Sequence, residues 1–330
     1  HRKETLPTNN GFDYYYGLPY SNDMNRIRDL GYPSNAAGLD KAWREVEKSC
    51  RGYEVPLMRN TEVLDPKVDQ RKLTSSYTRE AVKFITENKG RPFLLYLAHS
   101  MPHVPLFVPQ DRYDPDPRKA YKLVVEHIDF STGRIVEAIK AAGIEKKTLV
   151  IFTSDNGPWL SKKHHGGCAK PLSGGKGQSL EGGMRVPCVM WAPGLVSAGR
   201  ECHEPVTAMD ILPTFAEMTG VKLPADRVID GRSILPLVKG KEGARSPHEA
   251  IYYYSGDKIK AIRMGKWKLD NATRGVERAK LCDITTPQGE RTSLDKTKHA
   301  EIVAKLYARM KKFDEDLTAN SRKPHLVAGK

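Results

Sequence analysis

The sequence predicts an α/β fold: a doubly wound, mostly parallel sheet followed by a small C-terminal α+β subdomain that contains an antiparallel sheet. Two observations support this prediction. Amphipathic helical patterns alternate with short apolar runs as far as Thr219, as in parallel sheets that helices cover on both faces. Beyond residue 246, short strand-like runs separated by tight turns follow instead. We therefore expect two domains, residues 1–246 and residues 247–330.

The first domain is predicted to begin with long loops, because residues 1–72 are polar and are interrupted by many turn-forming residues. Helical spacing of apolar residues predicts helices, and continuous apolar runs of four to seven residues predict buried strands. In chain order the predicted elements are helix 75–88, strand 92–98, helix 121–139, strand 148–153, strand 186–192 and helix 209–219.

The C-terminal region is predicted to form an antiparallel sheet with one covering helix. Short strands are expected at residues 249–254, 259–264 and 266–269, since these are short strand-like runs separated by tight turns. A last helix is expected over residues 299–317, with Leu306 and Met310 among its inward-facing side chains.

The net charge is +14, from 54 Lys and Arg against 40 Asp and Glu. A basic surface suggests a polyanionic partner such as nucleic acid, anionic lipid or a sulfated glycan, or it serves only solubility. The charges are scattered and no nucleic-acid motif is present, so we expect no nucleic-acid partner. No apolar run approaches the ~20 residues of a membrane span, and we expect no membrane insertion. The five cysteines include no CxxC pair, which argues against a zinc site.

The predicted strand 148–153 ends in the sequence Ser-Asp-Asn-Gly-Pro. Ligands of open α/β sheets bind at the carboxyl ends of strands. Asp155 offers a carboxylate there and Asn156 an amide oxygen, and both are ligands that suit Ca²⁺ or Mg²⁺. The same residues also form good turns, so a purely structural turn remains the alternative.

The predicted strand 92–98 ends in His-Ser-Met-Pro-His-Val-Pro. His103 lies between two prolines, which stiffen the backbone and fix its position. Because histidine changes charge near neutral pH, His103 is a candidate general acid or base. The alternative is an ordinary surface-loop histidine. His99 is the weaker candidate of the two.

A glycine-rich stretch, residues 173–187, surrounds Lys176. Glycines on both sides let the backbone approach a ligand closely, and the ammonium group is a natural partner for an oxyanion. The spacing is not that of a phosphate-binding P-loop. A solvated loop lysine is the alternative interpretation.

Together these stretches resemble one family. The sequences GFDYYYGLPYSNDM, HSMPHVPLF, SDNGPWL, GGKGQSLEGGMRVP and IRMGKWKLD resemble formylglycine-dependent sulfatases of the arylsulfatase A type, which have an alkaline-phosphatase-like fold. The resemblance covers residues 6–284. It implies that Asp155 and Asn156 are metal ligands, that His103 protonates the leaving oxygen, that Lys176 binds the sulfate, and that Ser21 lines the sulfate pocket.

One departure from the family pattern concerns the nucleophile. The family forms its formylglycine from the cysteine of Cys-x-Pro-x-Arg, and no such pattern, nor its serine form, occurs among these residues. We expect the formylglycine and two metal-binding aspartates upstream of this N-terminally truncated chain, which by itself should be inactive. The resemblance further implies a formylglycine-generating enzyme as a partner of the full-length protein, and a periplasmic or secreted location.

The expected function is hydrolysis of a sulfate ester on a glycan or an aryl sulfate. A phosphodiesterase or phosphonate hydrolase of the same superfamily is one alternative, although Asn156 stands where those enzymes often carry the histidine that zinc or manganese favours. A non-catalytic polyanion-binding protein is the second alternative. If the hydrolase site exists, the side chains of His103, Asp155, Asn156 and Lys176 should converge on one cleft.

Overall fold

The computed structural model describes residues 2–27, 31–272, 275–286 and 289–321. The chain divides into two compact units. The first comprises His1–Glu145 and Trp159–Cys168, and the second comprises Lys146–Pro158 and Ala169–His325. Each unit is thus built from more than one segment of the chain, whereas the sequence predicted a single domain boundary after residue 246. That boundary stays a prediction. Among the described residues, no helix is both long enough and apolar enough to span a membrane.

In its described residues, the first unit contains a small antiparallel sheet and four α-helices. The strands lie in the order β1-β2-β3. The elements are β1 (Tyr16–Gly17), α1 (Ala36–Arg44), α2 (Val46–Ser49), β2 (Leu57–Arg59), β3 (Glu62–Asp65), α3 (Leu73–Asn88) and α4 (Ala120–Ala141). Helices α3 and α4 confirm the two predicted helices and pack against each other.

The expectation of long loops over residues 1–72 is wrong in part. Helix α1 begins after Asn35, whose side chain accepts a hydrogen bond from the Gly38 amide and so caps the first turn. Its apolar face buries Leu39 and Trp43, and the Trp43 indole Nε1 donates to the Asp114 carbonyl at 2.8 Å. Long-range packing of this kind stabilises α1, a short helix whose sequence has only weak helical features.

The strand predicted over residues 92–98 forms no strand pairing within the described parts of the chain. The side chains there alternate in exposure, and those of Leu94 and Tyr96 are 56% and 76% exposed. Period-two alternation is the pattern of a strand with one buried face. A strand assignment also requires a hydrogen-bonded partner, and the described residues supply none here.

The described part of the second unit contains a two-stranded ladder, a four-stranded sheet and four α-helices. The four-stranded sheet has the order β6-β7-β8-β9. The elements are β4 (Val150–Thr153), α5 (Glu181–Met184), β5 (Cys188–Trp191), α6 (Ile211–Thr219), α7 (Leu235–Val238), β6 (Ile251–Ser255), β7 (Lys258–Met264), β8 (Trp267–Asp270), β9 (Lys280–Asp283) and α8 (Ala300–Asn320).

Strand β5 corrects one detail of the predicted topology. Its predicted counterpart, residues 186–192, was expected to continue a parallel sheet, but β5 pairs antiparallel with β4, with Val150 opposite Trp191 and Thr153 opposite Cys188. All strand pairs among the described residues are antiparallel. Apolar runs predict burial of a strand but not the direction of its neighbour.

The C-terminal antiparallel sheet and its helix are confirmed. Ile262, Leu269 and Leu281 lie in register on adjacent strands and are fully buried. They belong to one apolar cluster with Leu306 and Met310 of α8. Strand β9 was not predicted, because its sequence Lys-Leu-Cys-Asp contains no β-branched or aromatic residue.

A buried polar seam joins α3 to α4 in the first unit. The Ser75 Oγ lies 3.2 Å from the His127 Nε2, and the hydroxyls of Thr78 and Ser131 are 2.7 Å apart. The Ser131 Oγ lies 3.4 Å from the His99 Nε2. Burial, and secondarily the nearby His127, lowers the pKa of His99 to about 4, because burial disfavours the charged imidazolium.

This low pKa predicts how stability depends on pH. The pKa of His99 lies below its unfolded value of 6.5, so the unfolded state binds the additional proton between pH 6.5 and about 4. We expect the free energy of unfolding to fall as the pH falls through this window, and to fall less steeply in His99→Gln. Urea unfolding at several pH values measures how the free energy of unfolding depends on pH. His203→Gln, at an exposed position, is the control, and equal slopes for both variants would contradict the prediction.

Candidate functional site

The Asp155–Asn156 turn follows β4 directly. The Ser154 Oγ donates to the Asn156 carbonyl at 3.1 Å, and the Asn156 Nδ2 donates to the Gly157 carbonyl at 3.1 Å. The Asn156 Oδ1 is therefore left as an acceptor, and Asp155 is exposed. These two hard oxygen donors fit Ca²⁺ or Mg²⁺ as part of a ligand set, but Ca²⁺ takes about 6–8 oxygens. The remaining ligands would have to come from other residues.

Backbone hydrogen bonds hold this turn against the glycine-rich loop. The Gly157 amide donates to the Gly183 carbonyl at 3.0 Å, and the Lys176 amide donates to the Pro158 carbonyl at 2.8 Å. A Cβ atom on Gly157 would lie 1.9 Å from the Gly182 carbonyl oxygen, so only glycine fits at this close approach. The structure therefore brings the predicted metal-binding turn and the loop of Lys176 together.

A buried ionic network, defined by Glu181, Arg263, Lys268 and Glu290, anchors the end of that loop to the C-terminal sheet. The Lys268 side chain is fully buried, and its Nζ lies 3.1 Å from Glu181 Oε1 and 2.7 Å from Glu290 Oε1. The Nζ also donates to the Ser179 carbonyl at 2.7 Å. The contact between Lys268 and Glu290 is an ion pair without an aligned hydrogen bond. The Glu290 Oε1 accepts no hydrogen bond from a described residue.

The same network sets the protonation of its members. Burial alone would raise the pKa of Glu181, but Lys268, the Tyr253 hydroxyl and Arg263 together lower it. Tyr253 donates to Glu181 Oε1 at 2.7 Å, and Arg263 lies 3.1 Å from Glu181 Oε2. Burial, and then the neighbouring Glu181 charge, raises the pKa of Tyr253. Glu181 is thus ionised and paired at neutral pH, as a buried carboxylate must be.

His103 is positioned by a buried chain of side-chain amides in the first unit. Its Nδ1 lies 2.8 Å from the Val104 carbonyl and 3.1 Å from the Asn22 Oδ1. Asn22 and Gln70 are almost fully buried, and the Asn22 Nδ2 donates to the Gln70 Oε1 at 3.1 Å, which orients the Asn22 amide. Because both partners of Nδ1 are acceptors, we assign its proton to Nδ1. The Nε2 is then the nitrogen available for proton transfer.

Ser21 precedes Asn22 and lies on the surface of the first unit. Its Oγ donates to the Asp23 Oδ1 at 2.7 Å. The predicted site residues thus fall into two groups, Ser21 and His103 in the first unit and Asp155, Asn156 and Lys176 in the second. Each group is held together by its own hydrogen bonds. The convergence of the two groups on one cleft stays a prediction.

A cluster of Asp40, His164 and His165 was not predicted from the sequence. The Asp40 Oδ1 accepts hydrogen bonds from the Nε2 atoms of His164 and His165 at 2.7 and 2.8 Å. Two imidazoles and a carboxylate are a donor set for transition metals. A metal at the His165 Nε2 would, however, move the proton to Nδ1, which is buried without a partner among the described residues. The cluster is better explained as an anchor of residues 160–165 to α1, and the adjacent histidines were its only signal in the sequence.

Solved structures define the class of protein. The PsFucS1 sulfatase from Pseudoalteromonas sp. matches with a TM-score of 0.78 at 25% identity, over 96% of this chain and 68% of that chain. The structure of Ps i-CgsB in complex with k-i-k-neocarrahexaose matches with a TM-score of 0.76 at 28% identity, over 100% of this chain and 71% of that chain. The chain therefore has the alkaline-phosphatase-like α/β fold of these proteins, and the predicted fold class is confirmed.

Sequence comparison names the family. The sulfatase family model matches residues 1–221, and the model for the C-terminal part of N-sulphoglucosamine sulphohydrolase matches residues 176–316. The chain belongs to the sulfatase family. N-acetylgalactosamine-6-sulfatase of Mus musculus is 35% identical over 273 residues, which cover 81% of this chain and 49% of that protein. The chain thus spans about half the length of this curated relative.

The buried ionic network predicts a large effect of one substitution. Lys268→Met keeps the volume of the side chain but leaves Glu290 buried without its cation and Glu181 with Arg263 alone, so we expect a loss of about 3–5 kcal/mol in the free energy of unfolding. Urea denaturation measures it. Lys266→Met is the matched control, because Lys266 is half exposed and pairs with Asp283 at 2.9 Å, and it should cost less than about 1 kcal/mol. Equal losses would contradict the assigned role of Lys268.

Proposed function

We propose that the complete protein is a sulfuric ester hydrolase that acts on a sulfated glycan or an aryl sulfate. Membership of the sulfatase family gives the reaction class. The observation that carries the proposal for this chain is the pair of backbone hydrogen bonds that hold the Asp155–Asn156 turn against the loop of Lys176. A cation-binding turn beside a glycine-flanked lysine is suited to binding a sulfate group.

Within this site Asp155 and Asn156 contribute oxygens to a Ca²⁺ or Mg²⁺ ion, and the Lys176 ammonium binds a sulfate oxygen. The cation, when bound, supplies positive charge close to the sulfate. Ser21 lines the sulfate pocket. The nucleophile is a formylglycine contributed by residues outside this sequence, together with two further metal-binding aspartates. A formylglycine-generating enzyme is then required, and a periplasmic or secreted location is consistent with the family.

His103 is the proposed general acid. With its Nδ1 proton held by the Val104 carbonyl and Asn22 Oδ1, the imidazolium donates its second proton from Nε2 to the oxygen of the leaving alcohol. The sulfur–oxygen bond breaks as that proton moves, and His103 is left neutral. Asn22 acts only through His103, so it is a positioning residue. Tight positioning matters because proton transfer needs a heavy-atom distance of about 2.6–3.2 Å.

Sulfated glycans are the favoured substrate class. The relatives named above include an N-acetylgalactosamine-6-sulfatase and a protein crystallised with a neocarrahexaose. The net charge of +14 attracts polyanions, which favours a sulfated polysaccharide over a small aryl sulfate.

The roles of His103 and Lys176 can be separated by the leaving group. A sugar hydroxyl leaves poorly without a proton, whereas a nitrophenolate leaves unaided. In a form of the protein that carries the nucleophile segment, His103→Ala should lower kcat/KM for a sulfated sugar by about 10²–10⁴, and much less for nitrophenyl sulfate. Steady-state kinetics with both substrates measures the difference.

Lys176→Ala is the control for this comparison. Lys176 would contact the sulfate group, which both substrates share, so its loss should slow the two reactions by similar factors. Equal losses for His103→Ala on the sugar and the aryl ester would exclude His103 as the acid. Absence of any sulfate release from either substrate by the unsubstituted enzyme would refute the proposed function.

A further inference from the structure

A cavity of about 410 Å³ lies in the second unit beside the glycine-rich loop. Residues 177–180 of the loop form one wall, and the other lining residues come from strands β6 to β9 and from Asn271 and Glu290, which follow β8 and β9. This volume lies within the range of about 300–1,000 Å³ that is typical of small-ligand sites. Gly177, in the wall, follows Lys176 directly, so the cavity begins one residue beyond the proposed sulfate-binding lysine.

Two lysines of the sheet line the cavity, Lys260 on β7 and Lys280 on β9. Neither forms an ion pair or a side-chain hydrogen bond with any residue in the described parts of the chain. The neighbouring Lys268 is fully buried between two carboxylates, so its charge is neutralised locally. The cavity is thus lined by two ammonium groups that form no ion pair with any carboxylate of the described residues.

The carboxylates at the cavity do not cancel these charges. Glu290 is paired with Lys268 at 2.7 Å. Asp270 accepts a hydrogen bond from the Asn271 Nδ2 at 3.3 Å and forms no ion pair with a described lysine or arginine. Lys260 and Lys280 therefore face one unpaired carboxylate, and the cavity carries an excess of positive charge.

The remaining lining favours a polyhydroxylated ligand. Gln178 and Asn271 contribute side-chain amides, and Ser179 and Ser255 contribute hydroxyls. Amides and hydroxyls both donate and accept hydrogen bonds, as sugar hydroxyls require. The Gln178 Oε1 accepts from the Gly175 amide at 2.9 Å and the Asn271 Nδ2 donates to Asp270, so an apolar ligand would leave only the remaining amide atoms and the hydroxyls without partners. The wall is also fixed in place, because the buried Lys268 holds the Ser179 carbonyl at 2.7 Å.

We propose that this cavity is a binding subsite for an anionic sugar, and that it holds a sulfated residue of the glycan adjacent to the one that is cleaved. Lys260 and Lys280 bind its sulfate group, while the amides, the hydroxyls and the Asp270 carboxylate bind its ring hydroxyls. This inference rests on the proposed function, since it takes the Lys176 loop to be the place where the scissile sulfate binds.

Binding measurements on the 330-residue chain test the proposal without catalysis. The probes are sulfated hexasaccharides from carrageenan, chondroitin sulfate and heparin, each with its desulfated counterpart, and single-stranded DNA of equal charge. We expect at least one sulfated hexasaccharide to bind by calorimetry more tightly than its desulfated form and than DNA. Lys260→Ala with Lys280→Ala should raise its Kd by about tenfold per lysine.

The matched control is Lys305→Ala with Lys312→Ala. These lysines of α8 line another cavity of the same unit and likewise have no ion pair with a described carboxylate, so the same charge is removed at a different place. Circular dichroism melting checks that both double variants fold.

Three results would overturn the proposal: equal loss of affinity in both double variants, tighter binding of DNA than of every hexasaccharide, or no binding of any sulfated hexasaccharide. The proposed function is judged separately, by release of sulfate from nitrophenyl sulfate by the enzyme that carries its nucleophile segment. Binding through the cavity without sulfate release would reject the proposed function, whereas sulfate release without the expected binding would reject the subsite alone.

Discussion

The burial of the Lys268 ammonium constrains how the second unit can fold. A charge that has no access to water requires opposite charges and hydrogen-bond acceptors around it. Glu181 comes from the end of the glycine-rich loop, and Glu290 follows β9. Neither the loop nor the sheet can satisfy this lysine alone. The loop that carries Lys176 and the sheet that carries Lys268 must therefore fold together, and the Asp155–Asn156 turn is then held through Gly157.

The sequence was most informative where one local pattern determines the structure. Helices α3, α4 and α8 have long apolar stripes, and their predicted spans agree closely with the observed ones. The family motifs correctly indicated the fold class. The turn of Asp155 and Asn156 was also expected, because a strand followed by Asp-Asn-Gly-Pro has few local alternatives.

The rest depends on contacts between distant parts of the chain. In the stretch Gly-Lys-Trp-Lys-Leu-Asp, Lys268 resembles an ordinary solvated strand residue, and only the arrival of Glu181 and Glu290 makes its burial tolerable. The orientation of His103 depends in the same way on Gln70 and Asn22, which are far apart in the sequence. The direction of β5 follows from its partner and not from its own residues. No periodicity in the sequence encodes such pairings.

The way in which the loop is anchored bears on how the protein can change over evolution. Lys268 holds the loop through the carbonyl oxygen of Ser179, and Gly157 holds it through the carbonyl of Gly183. Main-chain oxygens persist whatever side chain a residue carries. The side chains of Ser179 and Leu180 can therefore be exchanged by mutation while Lys176 keeps its place, whereas the Gln178 Oε1 accepts from the Gly175 amide at 2.9 Å and helps to shape the loop. The surface that the side chains of Ser179 and Leu180 present can then vary between related proteins while the position of Lys176 stays fixed.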